Sequence, residues 1–185
     1  MPLRIDPLRL DDIPQITAIE RESFPTPWPP SAYARELDNA LARYFVLRHV
    51  NEGQEERGDI VGVAGLWIFQ DEAHLMTIAV RRCARGLGYG ERLLLHAIET
   101  AIAAGADLFT LEVRQSNEVA QRLYRKYGLE VEGRRKNYYT DVPEDAYIMT
   151  VSGLQDEAYR QRIFALREAL ERRLDRQPAG SGRCP

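Results

Sequence analysis

The spacing of apolar residues changes period several times along this chain, and each change marks an element. Leu3 and Ile5 flank Arg4 as a short strand. Asp11-Asp12 then opens a helix to about residue 22, with Ile13, Ile16 and Ile19 on one face and Phe24 just beyond it. Prolines at 25, 27, 29 and 30 break the pattern, because each removes a backbone donor and resists a helix or ladder. Ser31 is placed to cap a second short helix toward Leu37. Residues 44–50 and 60–69 read as antiparallel strands joined by a polar, mobile hairpin loop at 51–58. A strand over 74–80 runs into a glycine-rich turn. Helical spacing returns over 89–104, where Leu93, Leu94, Ala97, Ile98 and Ala101 share a face. A strand at 108–113 leads to a helix opened by Ser116 or Asn117 and closed at Gly128. Strands near 129–134 and 146–151 flank a segment that holds Tyr138 and Tyr139. This alternation predicts an α/β layer protein around a mixed sheet.

Beyond residue 151 the plan changes. Tyr159, Ile163, Leu166, Leu170 and Leu174 recur at helical spacing, with both charge signs between them. One such stripe fits a helix docked on its own domain, or a partner or homodimer helix. The expected organisation is a domain over 1–152, an amphipathic helix over 153–176 and a disordered tail over 177–185 rich in Pro, Gly and Ser. A length of 185 residues suits one domain with a real core. The net charge of −3 gives no sign of a nucleic-acid surface. No apolar run approaches a membrane span and no signal pattern opens the chain, so a cytoplasmic protein is expected. Cys83 and Cys184 define neither a disulfide framework nor a metal site, and no His or Asn is evident near Cys83 to activate it.

Candidate chemistry concentrates at the glycine turn, Arg85-Gly86-Leu87-Gly88-Tyr89-Gly90-Glu91. Glycines let backbone N–H groups converge, and the helix that follows adds its own unpaired N–H groups and positive dipole end. The turn therefore reads as a pyrophosphate cradle, in which Gly88→Val would press a side chain against the phosphates. It lacks the Gly-Lys-Ser/Thr of a nucleoside-triphosphate loop and the G-x-G-x-x-G spacing of a dinucleotide site. Downstream, Glu112 has the side-chain parity of Arg114 on one strand. It is therefore either half of an ion pair or a general base of raised pKa at a wet cleft. Tyr124 is either a core aromatic or a proton donor to a leaving group, and Asn117 is a helix-cap candidate.

The ordered blocks Ile78-Ala79-Val80, Arg85 to Gly90, Leu111-Glu112-Val113-Arg114, Ser116-Asn117, Leu123-Tyr124-Arg125-Lys126-Tyr127-Gly128, Asn137-Tyr138-Tyr139 and the early Phe24-Pro25 resemble the GNAT acetyltransferases. Within them, the resemblance is to the RimI-type ribosomal-protein-alanine N-acetyltransferases, over roughly residues 3 to 151. It implies a mostly antiparallel sheet splayed between strands four and five, with helices on both faces and acetyl-CoA in the gap. Ile78, Ala79 and Val80 would pair with the pantetheine arm. Arg85, Gly86, Leu87, Gly88, Tyr89, Gly90 and Glu91 would hold the pyrophosphate, with Asn117 as a further cofactor contact. By the same resemblance Glu112 is the general base and Tyr124 the general acid. Phe24, Pro25, Tyr138 and Tyr139 fall in two loops lining a groove for the N-terminal segment of a ribosomal protein. A broader GNAT acetyltransferase and an acyl-CoA-binding partner module are the alternatives. The resemblance implies no metal, nucleic acid or membrane partner.

Overall fold

The computed structural model describes residues 3–50 and 58–177. The hairpin loop expected at 51–58 lies outside them except for Gly58, and so does the tail after Gln177. The elements run β1 (Leu3–Pro7), α1 (Ile13–Ser23), α2 (Pro30–Leu37), β2 (Ala42–His49), β3 (Ile60–Phe69), β4 (Glu72–Val80), α3 (Tyr89–Ala103), β5 (Leu108–Arg114), α4 (Glu118–Lys126), β6 (Glu130–Tyr139), β7 (Glu144–Ser152) and α5 (Glu157–Asp175). Two differ from expectation in a way that matters. Pro29 rather than Ser31 is the residue before α2, and Pro30 opens the helix, where a missing N–H would be unpaired anyway. Strand β6 runs to Tyr139, so Tyr138 and Tyr139 end a strand rather than sit in a loop.

The seven strands form one sheet in the order β1-β2-β3-β4-β5-β7-β6. Every neighbouring pair is antiparallel except β4 and β5, whose parallel pairing requires the crossover that α3 supplies. Alternate residues of β2 divide between two cores. Tyr44 and Val46 pack with Ile16, Ile19 and Tyr33 of α1 and α2, while Phe45 and Leu47 pack with Leu93, Leu94 and Ile98 of α3. Leu66 pairs with Leu75 but Gly65 pairs with Thr77, so Met76 is an extra residue in β4. Such a bulge bends its strand and increases local twist. A Cβ at Gly65 would stand only 2.0 Å from the Tyr44 ring, so glycine lets that ring lie across β3 beside the bulge.

The bulge has a direct consequence for the sheet. β4 pairs with β5 only from Glu72↔Leu108 to Leu75↔Leu111. Past Met76, β4 stays with β3 as far as Val80↔Gly62, and β5 stays with β7 as far as Arg114↔Ala146. The two strands separate, which is the splay expected between strands four and five. Helix α5 lies along the α3 side, with Ile163 and Leu170 buried in that core and Tyr159, Leu166 and Leu174 packed against it. No helix among the described residues is long and apolar enough to cross a membrane.

Candidate active site

Where β4 and β5 part, a cavity of about 370 Å³ opens, a volume suited to a small-molecule site. Its walls include Thr77 and Ile78 of β4, Glu112 and Arg114 of β5, and Asn117 and Tyr124 of the following segment. Phe24, Thr26 and Trp28 from the α1–α2 connection close one side, and Tyr138, Tyr139 and Asp141 close another. Thr26 Oγ1 donates to Asp141 Oδ2 at 3.2 Å, so the two flanking segments meet. Pro25 does not line the cavity, nor do Ala79 and Val80, which continue β4 toward the glycine turn. Between Met76 and Val80 the β4 edge facing the gap has no strand beside it among the described residues, which leaves alternate backbone N–H and C=O groups open to an extended ligand.

Leu111 and Val113 are buried in the α3-side core, so Glu112 projects to the opposite face. Its carboxylate is fully engaged. Oε2 shares a 2.6 Å hydrogen bond with His74 Nε2, and Oε1 lies 3.1 Å from Arg135 Nη2. The hydrogen bond to His74 holds its carboxyl below the usual glutamate range; burial opposes this, and the charges of His74 and Arg135 add to it. One detail of each sequence-based reading of Glu112 is therefore corrected. Its pKa is lowered rather than raised, because the partners outweigh desolvation. Its ion-pair partners are His74 and Arg135, not Arg114. Arg114 instead places Nη2 2.8 and 2.7 Å from the two Asp141 oxygens, with its guanidinium 3.8 Å from the Tyr139 ring centroid. That fork holds the Asp141 carboxyl down at about 2.

Tyr124 is buried, and burial pushes its phenol well above the ordinary tyrosine range. Among the described residues no side-chain hydrogen bond ties its hydroxyl, although its ring lines the cavity. Burial likewise pushes the Tyr139 phenol up, to about 12. Asn117 caps α4, its Oδ1 accepting from Ala120 N–H at 3.2 Å, and the same residue borders the cavity.

At the far end of β4, Gly86 and Gly88 have φ of +79° and +83°. A side chain rarely tolerates that backbone, which explains the glycines. Gly88 precedes the first turn of α3, so unpaired N–H groups gather there. Arg81 and Arg85, which precede the glycines, point away from the turn. Arg85 donates to Val80 O and Ser23 Oγ, and Arg81 to Ile60 O, so both act as struts toward β3, β4 and α1. Tyr89 is buried, and Leu87 packs against the core. Glu91 is also structural: Lys126 Nζ, Tyr127 Oη and Arg173 Nη2 reach it at 2.5, 3.0 and 2.6 Å. Cys83 lies in the short turn before the glycines.

The sequence profile of the acetyltransferase (GNAT) family matches residues 13–129. The chain belongs to that family. The acetyltransferase is 41% identical over 146 residues to a Bacillus subtilis protein named putative [ribosomal protein bS18]-alanine N-acetyltransferase, covering 78% of this chain and 92% of that one. The solved ribosomal-protein-S18-alanine N-acetyltransferase of Escherichia coli superposes with a TM-score of 0.73 at 31% identity, covering 82% and 94% of the two chains. Arabidopsis thaliana NAA60, solved in complex with acetyl-CoA, shares the fold at a TM-score of 0.70 and 15% identity over 82% of this chain and 98% of that one.

Three residues of the acetyltransferase's cavity region escaped the sequence reading. His74 and Arg135 hold Glu112 from other strands. Glu20 of α1 is 1% exposed yet lines the cavity. Tyr33 Oη and Thr77 Oγ1 donate to its Oε1 at 2.6 and 3.3 Å, and Trp28 N–H donates to Oε2 at 3.2 Å. Burial nevertheless outweighs those hydrogen bonds and raises its pKa. The only hint in the sequence is a charge one residue after Ile19 on an apolar helix face.

Proposed function

We propose that this acetyltransferase moves the acetyl group of acetyl-CoA to the N-terminal alanine amine of a small-subunit ribosomal protein. The observation that carries the mechanism is that Glu112 and Tyr124 line one cavity at the splay, beside the open β4 edge that leads to the glycine turn. The names of the Bacillus and E. coli relatives support the alanine terminus of bS18 as the acceptor. The open edge suits a pantetheine arm, and the convergent N–H groups at 86–90 suit its diphosphate.

The amine nitrogen attacks the thioester carbonyl carbon, forming C–N. Collapse of the tetrahedral species breaks C–S and releases CoA. Glu112, acting through water, accepts the proton the nitrogen sheds, and Tyr124 returns one to the departing sulfur. A carboxylate held below the usual range is too weak to strip an ammonium of pKa about 8 before attack. The acceptor therefore enters as free amine, which for an α-amino group is roughly a tenth of the total at pH 7. The lysine ammonium, near 10.4, supplies almost none.

The test sets an alanine-starting bS18 peptide against other protein N-termini, internal-lysine peptides and polyamines, with the acetyl position read by mass spectrometry. Acetylation of the alanine amine at the highest kcat/KM is expected. Preference for a polyamine or a lysine would overturn the acceptor assignment, and absence of CoA release with every amine would favour a binding module.

A further inference from the structure

We infer that the C-terminal helix is a working part of the cofactor site, with Arg173 and Gln177 as positioning residues that brace the glycine turn from outside. The inference rests on the reading that the turn receives the CoA diphosphate. Helix α5 is fixed to the domain at several points. Tyr159 Oη donates to Tyr127 O at 2.9 Å, Arg162 Nη2 donates to Lys126 O at 2.8 Å, and Arg167 pairs with Glu99. Its last turn reaches the cradle. Gln177 Nε2 donates to Leu87 O at 2.8 Å, and Arg173 Nη2 donates to Glu91 Oε2 at 2.6 Å. A Cβ built on Gly88 would stand 2.8 Å from Arg173 Nη2 and 3.4 Å from a Leu174 methyl. The space that glycine leaves at 88 is thus occupied by α5.

Two physical effects follow for an anion in the turn. First, a glycine-rich turn with two positive-φ residues and converging N–H dipoles is costly to hold in one shape. A ligand binds it with an affinity reduced by the fraction of time the turn is out of shape. The contacts of Arg173 and Gln177 lower that fraction before the ligand arrives. Second, Glu91 follows the turn directly, and its charge would repel a diphosphate. Arg173 and Lys126 together outweigh it. Without Arg173 the turn is looser and more negative, and both changes weaken anion binding. The brace lies beyond the profile match, which ends at residue 129.

The test compares CoA affinity by calorimetry, both KM values and thermal stability in the full-length protein. Arg173→Ala combined with Gln177→Ala should weaken CoA binding about tenfold and raise the acetyl-CoA KM in step, while the peptide KM stays unchanged. Arg173→Lys should recover part of the loss. Arg167→Ala removes an α5 contact away from the turn, and should lower stability while CoA affinity holds. If the double variant does not fold, Gln177→Ala alone should still weaken CoA binding by about threefold. CoA affinity equal to wild type in the variants, or an equal loss in Arg167→Ala, would overturn the brace. A wild-type protein that binds no CoA would instead overturn the proposed function, and the brace with it.

Discussion

In the proposed mechanism Glu112 and Tyr124 divide the acid–base work, and their surroundings push them in opposite directions. His74 and Arg135 keep Glu112 ionised, and burial keeps Tyr124 protonated. Glu112→Gln and Tyr124→Phe should each lower kcat by roughly a hundredfold or more, the usual effect of losing a positioned acid or base. CoA affinity should persist in both, and normal turnover in either would remove that residue's role. The pH dependence follows from the signs. The lowered Glu112 is already a carboxylate well below neutrality, so it sets no limb near pH 7. The raised Tyr124 stays protonated beyond pH 10. The acceptor amine titrates in between, so kcat/KM should climb roughly tenfold per pH unit and level off above about pH 8. A fall between pH 8 and 10 would contradict the tyrosine assignment. Glu20 belongs to this scale too, since its two oxygens gather Tyr33, Thr77 and the Trp28 amide behind the cavity wall. Glu20→Gln leaves a donor facing donors and should cost about 1–3 kcal/mol in denaturant melts. It should also raise the peptide KM more than the acetyl-CoA KM, because the Trp28 segment lines the acceptor side.

At the scale of elements, the strand–turn–helix from β4 to α3 was legible because its signals are local: a strand, then glycines, then helical spacing. The bulge at Met76 was not, since an extra residue in one strand shows only against its partner's register. The role of Gly88 changed with the structure. Its absent side chain leaves room for Arg173 and Leu174 of α5. A Cβ at Gly86 meets nothing within 4 Å, so Gly86→Ala should carry only the positive-φ cost of roughly 1–2 kcal/mol. Gly88→Val adds a clash with Arg173 and Leu174, and its thermal midpoint should fall clearly further. Equal losses in the two variants would mean that α5 does not crowd the turn.

On the scale of the whole molecule, one seven-stranded sheet carries α1 and α2 on one face and α3, α4 and α5 on the other. The sequence by itself determined the order of strands and helices, the glycine turn, and the presence of Glu112 and Tyr124 in their motif blocks. Each of these is written in neighbouring residues, through side-chain periodicity and the backbone freedom of glycine. Only the tertiary structure decided what those residues touch. Glu112 meets His74 across 38 positions of chain, Glu20 meets Thr77 across 57, and Glu91 meets Arg173 across 82. Such contacts depend on strand register and on which face a helix presents. A single bulge or a docked helix resets both, and neither leaves a mark on the local pattern.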